Sequence, residues 1–446
     1  MRVLEAGDTI GGGTRTEALT LPGYLHDTCS AVHPMALASP FLRSLPMAEH
    51  GLEFAHLELP LAHPLDGGRA AALYRTVEGT AVALGDDGAA YRRLMGPLVR
   101  AWQPILDDIL RPVVRPPRHL LATGRFGVHA LQPAARLARR HFQTEEGLAL
   151  IAGLAAHSMQ PLDAPGTAAF ALTLAMCGHA VGWPVAVGGS QAIANAMASL
   201  LQSLGGEIET GRVVGSLDDV PGARAVLFDA PPRPVERICG DALPARYRRA
   251  LRGFRYGPGV FKIDYALTEP VPWTAAVCRR AGTVHVGGTL AGIAASEADV
   301  AAGRAPDRPY VLVAQQSLVD PTRAPQGGHT LWAYCHVPNG SGADMTDAIE
   351  RQLERFAPGF RDVVVDRHTM KAPEVEAHNP SFVGGDINGG AATLWQLIAR
   401  PTLRPSPYTT PNPRLFLCGA STPPGGGVHG MCGHHGARAA LGGVLH

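Results

Sequence analysis

The sequence predicts an α/β fold in which nucleotide-binding strand–turn–helix units are interleaved with an α+β region. Three observations predict it. The chain opens "MRVLEAGDTIGGGTRTEALT", where a short apolar strand, Arg2-Val3-Leu4, runs into Glu5 and then a glycine cluster, Gly11-Gly12-Gly13. A strand ending in an acid is how a dinucleotide-binding fold holds a ribose. The middle, "VGGSQAIANAMASLLQSLGGEIETGRVVGSL", reads as a glycine turn, a helix, a Gly-Gly stop and strands around Ile208 and Val213-Val214. The end, "PRLFLCGASTPPGGGVHGMCGHHGARAALGGVL", reads as strand, glycine-rich loop and helix.

The other elements follow in order. A helix is expected from near Pro40, and "AALYRTV" (71–77) reads as a strand. "DDGAAYRRLMGPLVRAWQPILDDIL" is an amphipathic helix, bent or broken near Gly96-Pro97, and "RPVVRPPRHLLATGRFG" is a Pro- and Arg-rich connector. From Gly153 to Gly206 the only charged side chain is Asp163. Residues 167–187 within it are uncharged throughout, long enough for a span, but Gly178, His179, Gly182 and Pro184 interrupt them. Buried core, or a surface that lines substrate or touches lipid, is the expectation. "GVFKIDYAL", "RPYVLVAQQS" and "HTLWAYCHVP" are strands of an antiparallel sheet, and "DMTDAIERQLERFA" is a helix with Asp344 as N-cap.

Composition narrows the class. The 446 residues hold 39 Lys and Arg against 38 Asp and Glu, so no basic footprint for nucleic acid is present. Apolar residues reach 46%, which places the Gly- and Pro-rich chain among globular enzymes and not among disordered ones. Seven scattered cysteines without C-x-x-C argue against a disulfide framework, and no secretory leader is visible, so a cytoplasmic setting is the default.

"GGGVHG" (425–430) matches G-x-G-x-x-G literally, but no second strand or ribose acid follows before His446. It reads as a strand-to-helix turn whose amides approach a polar or anionic part of a ligand. His429, Cys432, His434 and His435 are metal-type side chains. On a helix, positions 429, 432 and 435 rotate by roughly 60° per step, and no carboxylate lies near in sequence, so no metal is expected. No G-x-S-x-G, H-E-x-x-H or Walker lysine loop occurs, which makes a bound cofactor the economical source of chemistry.

Taken together, "VLEAGDTIGGGTRT", "GGSQAIANAMASLLQSLGGEIETGRVV" and "LFLCGASTPPGGGVHGMCGHHGARAAL" resemble the phytoene-desaturase-like branch of FAD-dependent oxidoreductases, within the amine-oxidase-type flavoproteins. The resemblance implies an FAD-binding Rossmann-like domain built from 1–75, 186–240 and 406–446. It implies a mainly helical cap or substrate region at 76–185 and an α+β substrate domain at 241–405. It places Glu5 on the adenosine ribose and Gly12, Gly13, Thr14 and Arg15 along the pyrophosphate and ribitol. Val214, or the adjacent Val213, meets the adenine. Gly419 and Ala420 lie near the pyrophosphate and ribitol, with Gly427, Val428 and Met431 against the isoalloxazine. His429 is the candidate catalytic side chain, weighed against a structural histidine.

The family also places a strand and a G-x-G-x-x-G turn about 20 residues before the ribose acid. Neither stands ahead of Arg2, so the first βα unit is expected to be missing. A late start, a real truncation and a second segment filling the gap are the three explanations. The function implied is hydride transfer to FAD from an apolar, isoprenoid-like or acyl-chain substrate, with the uncharged 153–206 region as cavity wall and a peripheral membrane contact. The alternative is a flavin-fold protein without net redox activity, an isomerase or apolar-ligand-binding protein.

Overall fold

The computed structural model describes residues 1–112 and 115–445. Its strands are β1 (Arg2–Leu4), β2 (Leu59–Pro64), β3 (Ala70–Leu73), β4 (Glu207–Glu209), β5 (Val226–Phe228), β6 (Gly259–Leu267), β7 (Ala281–Val286), β8 (Val311–Ala314), β9 (His329–Val337), β10 (Val364–Met370) and β11 (Leu415–Leu417). The longer helices are α1 (Gly88–Arg100), α2 (Trp102–Ile109), α3 (Leu120–Ala130), α4 (Ala134–His141), α5 (Glu145–Ala156), α6 (Thr167–Ala180), α7 (Gln191–Ser203), α8 (Leu290–Ala301), α9 (Thr346–Phe356) and α11 (Met431–Leu441), with the short α10 (Leu394–Ile398) before the last.

Seven strands form one mixed sheet in the order β10-β6-β9-β8-β7-β2-β3, antiparallel except where β7 pairs with β2. Both faces are buried. Along β9, Leu331, Ala333, Cys335 and Val337 pack with Ile349, Leu353 and Phe356 of α9. The alternate residues Trp332 and Tyr334 face the helical layer of α5 and α6, as strand periodicity requires. The N-cap Thr144 accepts from the Gly147 amide and starts α5, which is buried along most of its length. At Gly153 a Cβ would lie 2.9 Å from the Nδ1 atoms of both His63 and His285, so only glycine lets α5 approach the sheet this closely.

Two small parallel sheets, β1–β4 and β5–β11, stand apart from the large one. Desolvation and then the Glu5 carboxylate raise the pKa of Asp229, just past β5. The acids that follow β1 and β5 are therefore near enough to act on each other. Among the described residues no strand joins the two pairs.

Several expectations are corrected. The 1–75 boundary overshoots, because β2 and β3 belong to the seven-stranded sheet through their hydrogen bonds with β7 and each other. The first helix starts at Pro34, earlier than Pro40, with Pro at its first turn. Pro97 lies inside α1, and the chain breaks later, at Ala101. Half of the Pro/Arg connector is helix α3, and its Val113 and Val114 lie outside the described residues. Val213 and Val214 form no strand: Arg212 and Gly211 donate to the carbonyls of Glu5 and Gly7, which holds the segment as an extended coil beside the β1 turn. Asp344 accepts from the Thr346 amide, one residue ahead of the N-cap Met345. The uncharged 153–206 stretch contributes core from α5 and α6, including Leu154, Ala155, Leu172 and Met176. Among the described residues no helix is long and apolar enough to cross a membrane.

One buried node ties these layers together. Asp27 accepts from Thr16 Oγ1 at 2.8 Å, the Ser190 amide at 2.8 Å and Gln316 Nε2 at 3.2 Å, and pairs with Arg323. Arg323 also faces Asp320, whose Oδ2 accepts from the Gly188 amide. Both Asp27 and Arg323 are 0% exposed. Burial alone would raise the Asp27 pKa, but Arg323 and then the Ser190 amide more than reverse it. Asp27→Asn should cost about 3–5 kcal/mol, since it leaves a buried guanidinium short of a counter-charge. The folded pKa is depressed, so this stability is full above the unfolded carboxylate value and is lost as pH falls through the folded one. Urea unfolding should show the whole gap between wild type and variant at neutral pH and a narrowing gap below about pH 4. Equal midpoints at neutral pH would show that the node is not a keystone.

Candidate active site

The N-terminal part of the site is a turn made by glycine. Gly11 and Gly12 have φ of +113° and +52°, and Thr14 closes the turn with Oγ1 donating to the Gly11 carbonyl at 2.8 Å. Glu5 ends β1, and its Oε1 accepts from the Gly7 amide at 2.7 Å, while its other oxygen takes no donor among the described residues. Arg15 reaches back toward Gly7, where an added Cβ would lie 3.5 Å from Nη2. The Arg15 Nε is buried without a partner. Arg15 also lines a cleft of about 460 Å³ with Thr9, Ile10, Thr16, Gln191, Asn195 and Thr210. Gly13 has no room for a side chain, because a Cβ would lie 2.8 Å from the Phe382 ring. Val214 follows the coil bonded to Glu5 and is half-buried, whereas Val213 is 68% exposed.

The C-terminal part is the loop after β11. Gly419 accepts from Thr422 Oγ1 at 2.8 Å and packs against Asp229, whose Oδ1 is 2.9 Å from the position of an added Cβ. The Ala420 carbonyl accepts from Arg400 at 2.8 Å, and the same guanidinium group holds the Gly389 carbonyl at 2.7 Å. Gly427 and Gly430 have φ of +123° and +65°. Gly430 stands immediately before α11, and a Cβ there would lie 2.8 Å from the Phe41 ring, so this close approach is to protein. Val428 is half-buried, and Met431 opens α11 as part of the large core.

His429 is 3% exposed, and burial lowers its pKa to about 4. Its Nδ1 accepts from the Met431 amide at 3.0 Å, and its carbonyl accepts from Ser39 at 2.6 Å. The neutral ring thus supports the first turn of α11, the contact expected of a structural histidine. The neighbouring metal-type side chains also diverge, with Cys432 directed to the Thr422 and Gly425 carbonyls and His435 to the Leu110 carbonyl.

The structure adds groups that motif reading missed. Lys262 and Asp264 alternate on one face of β6 as a buried ion pair, with Lys262 over the Trp332 ring at 5.9 Å. Lys262 also bears electrostatically on Cys29, and the Cys29 Cβ is 3.8 Å from the position of an added Cβ on Gly13. Burial raises the Asp264 pKa to about 6 against the pull of Lys262. On the same sheet face His63 and His285 sit on paired strands, and His157 Nε2 lies 3.0 Å from His285 Nε2. Burial makes these rings neutral, lowering His63 to about 4 and His157 to about 3. The eight buried carboxylates among the described residues each meet a cation or a hydrogen-bond donor through at least one oxygen, while Asp264 Oδ1 and Glu297 Oε2 take no hydrogen bond. The sequence signal for the β6 pair was available: a lysine and an aspartate two apart in an otherwise apolar strand.

These residues fit a flavin dinucleotide. Arg15, with a buried guanidinium nitrogen lacking an acceptor, lines the cleft together with Glu17, and Gly7 beside it meets the half-used Glu5 carboxylate. The family model for flavin containing amine oxidoreductases matches residues 1–440. The chain is 32% identical over 155 residues to a mouse protein, pyridine nucleotide-disulfide oxidoreductase domain-containing protein 2, covering 32% of this chain and 26% of that one. It is 30% identical over 131 residues to a 4,4'-diapolycopen-4-al dehydrogenase of Metabacillus indicus, covering 28% of this chain and 26% of that one. The matches thus span about a quarter of these curated relatives. An oxidoreductase structure from Methanosarcina mazei superposes over 99% of this chain and 94% of its own, with a TM-score of 0.65 and 16% identity. Putrescine oxidase bound to putrescine superposes over 98% of this chain and 92% of its own, with a TM-score of 0.56 and 16% identity. At such identities the likeness is one of fold. The chain belongs to the flavin-containing amine oxidoreductase family, and its cofactor is FAD.

Proposed function

We propose that this chain is an FAD-dependent dehydrogenase acting on an apolar substrate of the isoprenoid or acyl-chain class. Bound FAD supplies a two-electron acceptor for hydride from a substrate C–H bond. The chain's own residues bind and orient. Glu5 takes the ribose hydroxyls, and Arg15 takes the phosphates through its unsatisfied Nε. Gly12, Gly13 and Thr14 follow the ribitol, Val214 borders the adenine, and Gly419, Ala420, Gly427, Val428 and Met431 complete the far wall. Lys262 is the buried lysine of β6, held in place by Asp264 and Trp332.

The observation that carries the substrate class is charge. An ammonium substrate needs a desolvated counter-anion, and each buried carboxylate described above already meets a cation or a donor through at least one oxygen, Asp264 through Lys262 and Glu297 through His336. Around Trp332 and Tyr334 the side chains are mostly apolar or aromatic, with the Lys262–Asp264 pair beside Trp332 and His336 beside Tyr334. The likeness to the diapolycopenal dehydrogenase points the same way.

In the FAD-loaded protein, anaerobic mixing with an isoprenoid polyene or a long-chain acyl ester should bleach the flavin absorbance, and putrescine should leave it unchanged. Bleaching by putrescine alone would overturn the substrate class. For the cofactor site, Arg15→Gln removes a charge-assisted contact of about 1.5–3 kcal/mol and should raise the Kd for FAD roughly 10- to 100-fold. An unchanged Kd in a fluorescence-quenching titration would remove Arg15 from the phosphate site.

A further inference from the structure

Helix α3 has the sequence "LLATGRFGVHA" and is apolar on almost every face. Such a helix belongs in a core, yet α3 lies at the surface. Phe126 and Ala130 point inward, while Leu120, Leu121, Val128 and the following Leu131 are 69%, 92%, 70% and 59% exposed. The second exposed segment is α10 and its exit, where Leu394, Trp395, Ile398 and Leu403 are 36%, 68%, 38% and 64% exposed. These two segments carry eight of the fifteen large apolar side chains exposed among the described residues. They adjoin at Gly166, whose amide donates to the Leu131 carbonyl and whose added Cβ would lie 3.7 Å from Leu394 Cδ1. The surface is also held firmly. Asp108 accepts from the Arg118 and His119 amides at 2.8 Å each and from Thr123 at 2.7 Å, fixing the start of α3.

Charge selects the occupant. Residues 111–143 contain seven arginines and no acid, and residues 387–446 contain four arginines and no acid. Arg118, Arg125, Arg136 and Arg140 have no acidic partner among the described residues. A twofold contact with a second copy would set these arginines against themselves. Apolar side chains with an exposed Trp, bordered by unpaired arginines, suit the interface of an anionic bilayer.

We propose that α3 and α10 form a docking face for anionic lipid membranes. It is a different surface from the uncharged 153–206 stretch, whose α5 and α6 residues lie in the core. It also adjoins the cofactor wall: Arg400, two residues past α10, holds the Ala420 carbonyl. Membrane contact stands apart from the flavin reading, since it needs neither cofactor nor turnover.

The test is co-sedimentation of the full chain with phosphatidylcholine vesicles, with and without phosphatidylglycerol. Binding is expected only with phosphatidylglycerol and should weaken as salt rises. Arg118→Gln and Arg125→Gln should each reduce partitioning roughly fivefold. Leu121→Asp combined with Val128→Asp should abolish it, and Leu204→Asp, at another exposed leucine, should not. Trp395 emission should shift to the blue on binding. Absence of binding to phosphatidylglycerol vesicles would overturn the proposal, as would equal binding by the double variant. A dimer of wild type that the double variant dissociates would also overturn it, by assigning the face to a second copy.

Discussion

Three segments distant in sequence meet at one buried carboxylate. Asp27 receives Thr16 from the flavin turn, the Ser190 amide at the start of α7, and Gln316 and Arg323 from the connection between β8 and β9. A charge taken out of water in this way is tolerable only with a full set of partners, so each segment has one permitted position. The glycine turn, the nucleotide-side helix and the large sheet are thereby locked in one geometry. The cleft between them inherits its shape from that node.

The site itself rests on a division of labour between backbone and charge. Glycines with positive φ give the two loops their turns, Arg15 supplies a cation with an unused donor, and Glu5 ends its strand half-engaged. Asp229 has a raised pKa, first from desolvation and then from Glu5. The face of the large sheet that carries Trp332 and Tyr334 follows a different logic: its histidines His63 and His157 are neutral by burial, and its lysine is paired with Asp264.

Much of this was legible in the sequence, and the reasons are local. The strand–acid–glycine opening, the α7 segment with its Gly-Gly stop and the β11–loop–α11 ending each depend on near neighbours, so their patterns could be read directly. Long-range pairings could not. That β2 and β3 join the substrate sheet follows from pairing with β7 more than two hundred residues later, which no local pattern encodes. Pro97 was read as a breaker, yet α1 continues through it to Arg100, since core burial of Leu94, Met95 and Leu98 outweighs one lost backbone bond. His429 drew attention by its motif position, whereas its hydrogen bond to the Met431 amide gives it a capping role. Asp27 and Arg323 looked ordinary because a buried ion pair spanning 296 positions has no sequence signature.

The central claim is that FAD occupies the cleft bounded by the β1 turn and the loop after β11. Hydrogen–deuterium exchange with and without saturating FAD measures it most directly, because the amides of both loops can be followed separately. Slowed exchange at Glu5–Arg15 and at Gly419–Met431, with α3 and α10 unchanged, is the expected result. Protection confined to other segments, or none at either loop, would contradict it.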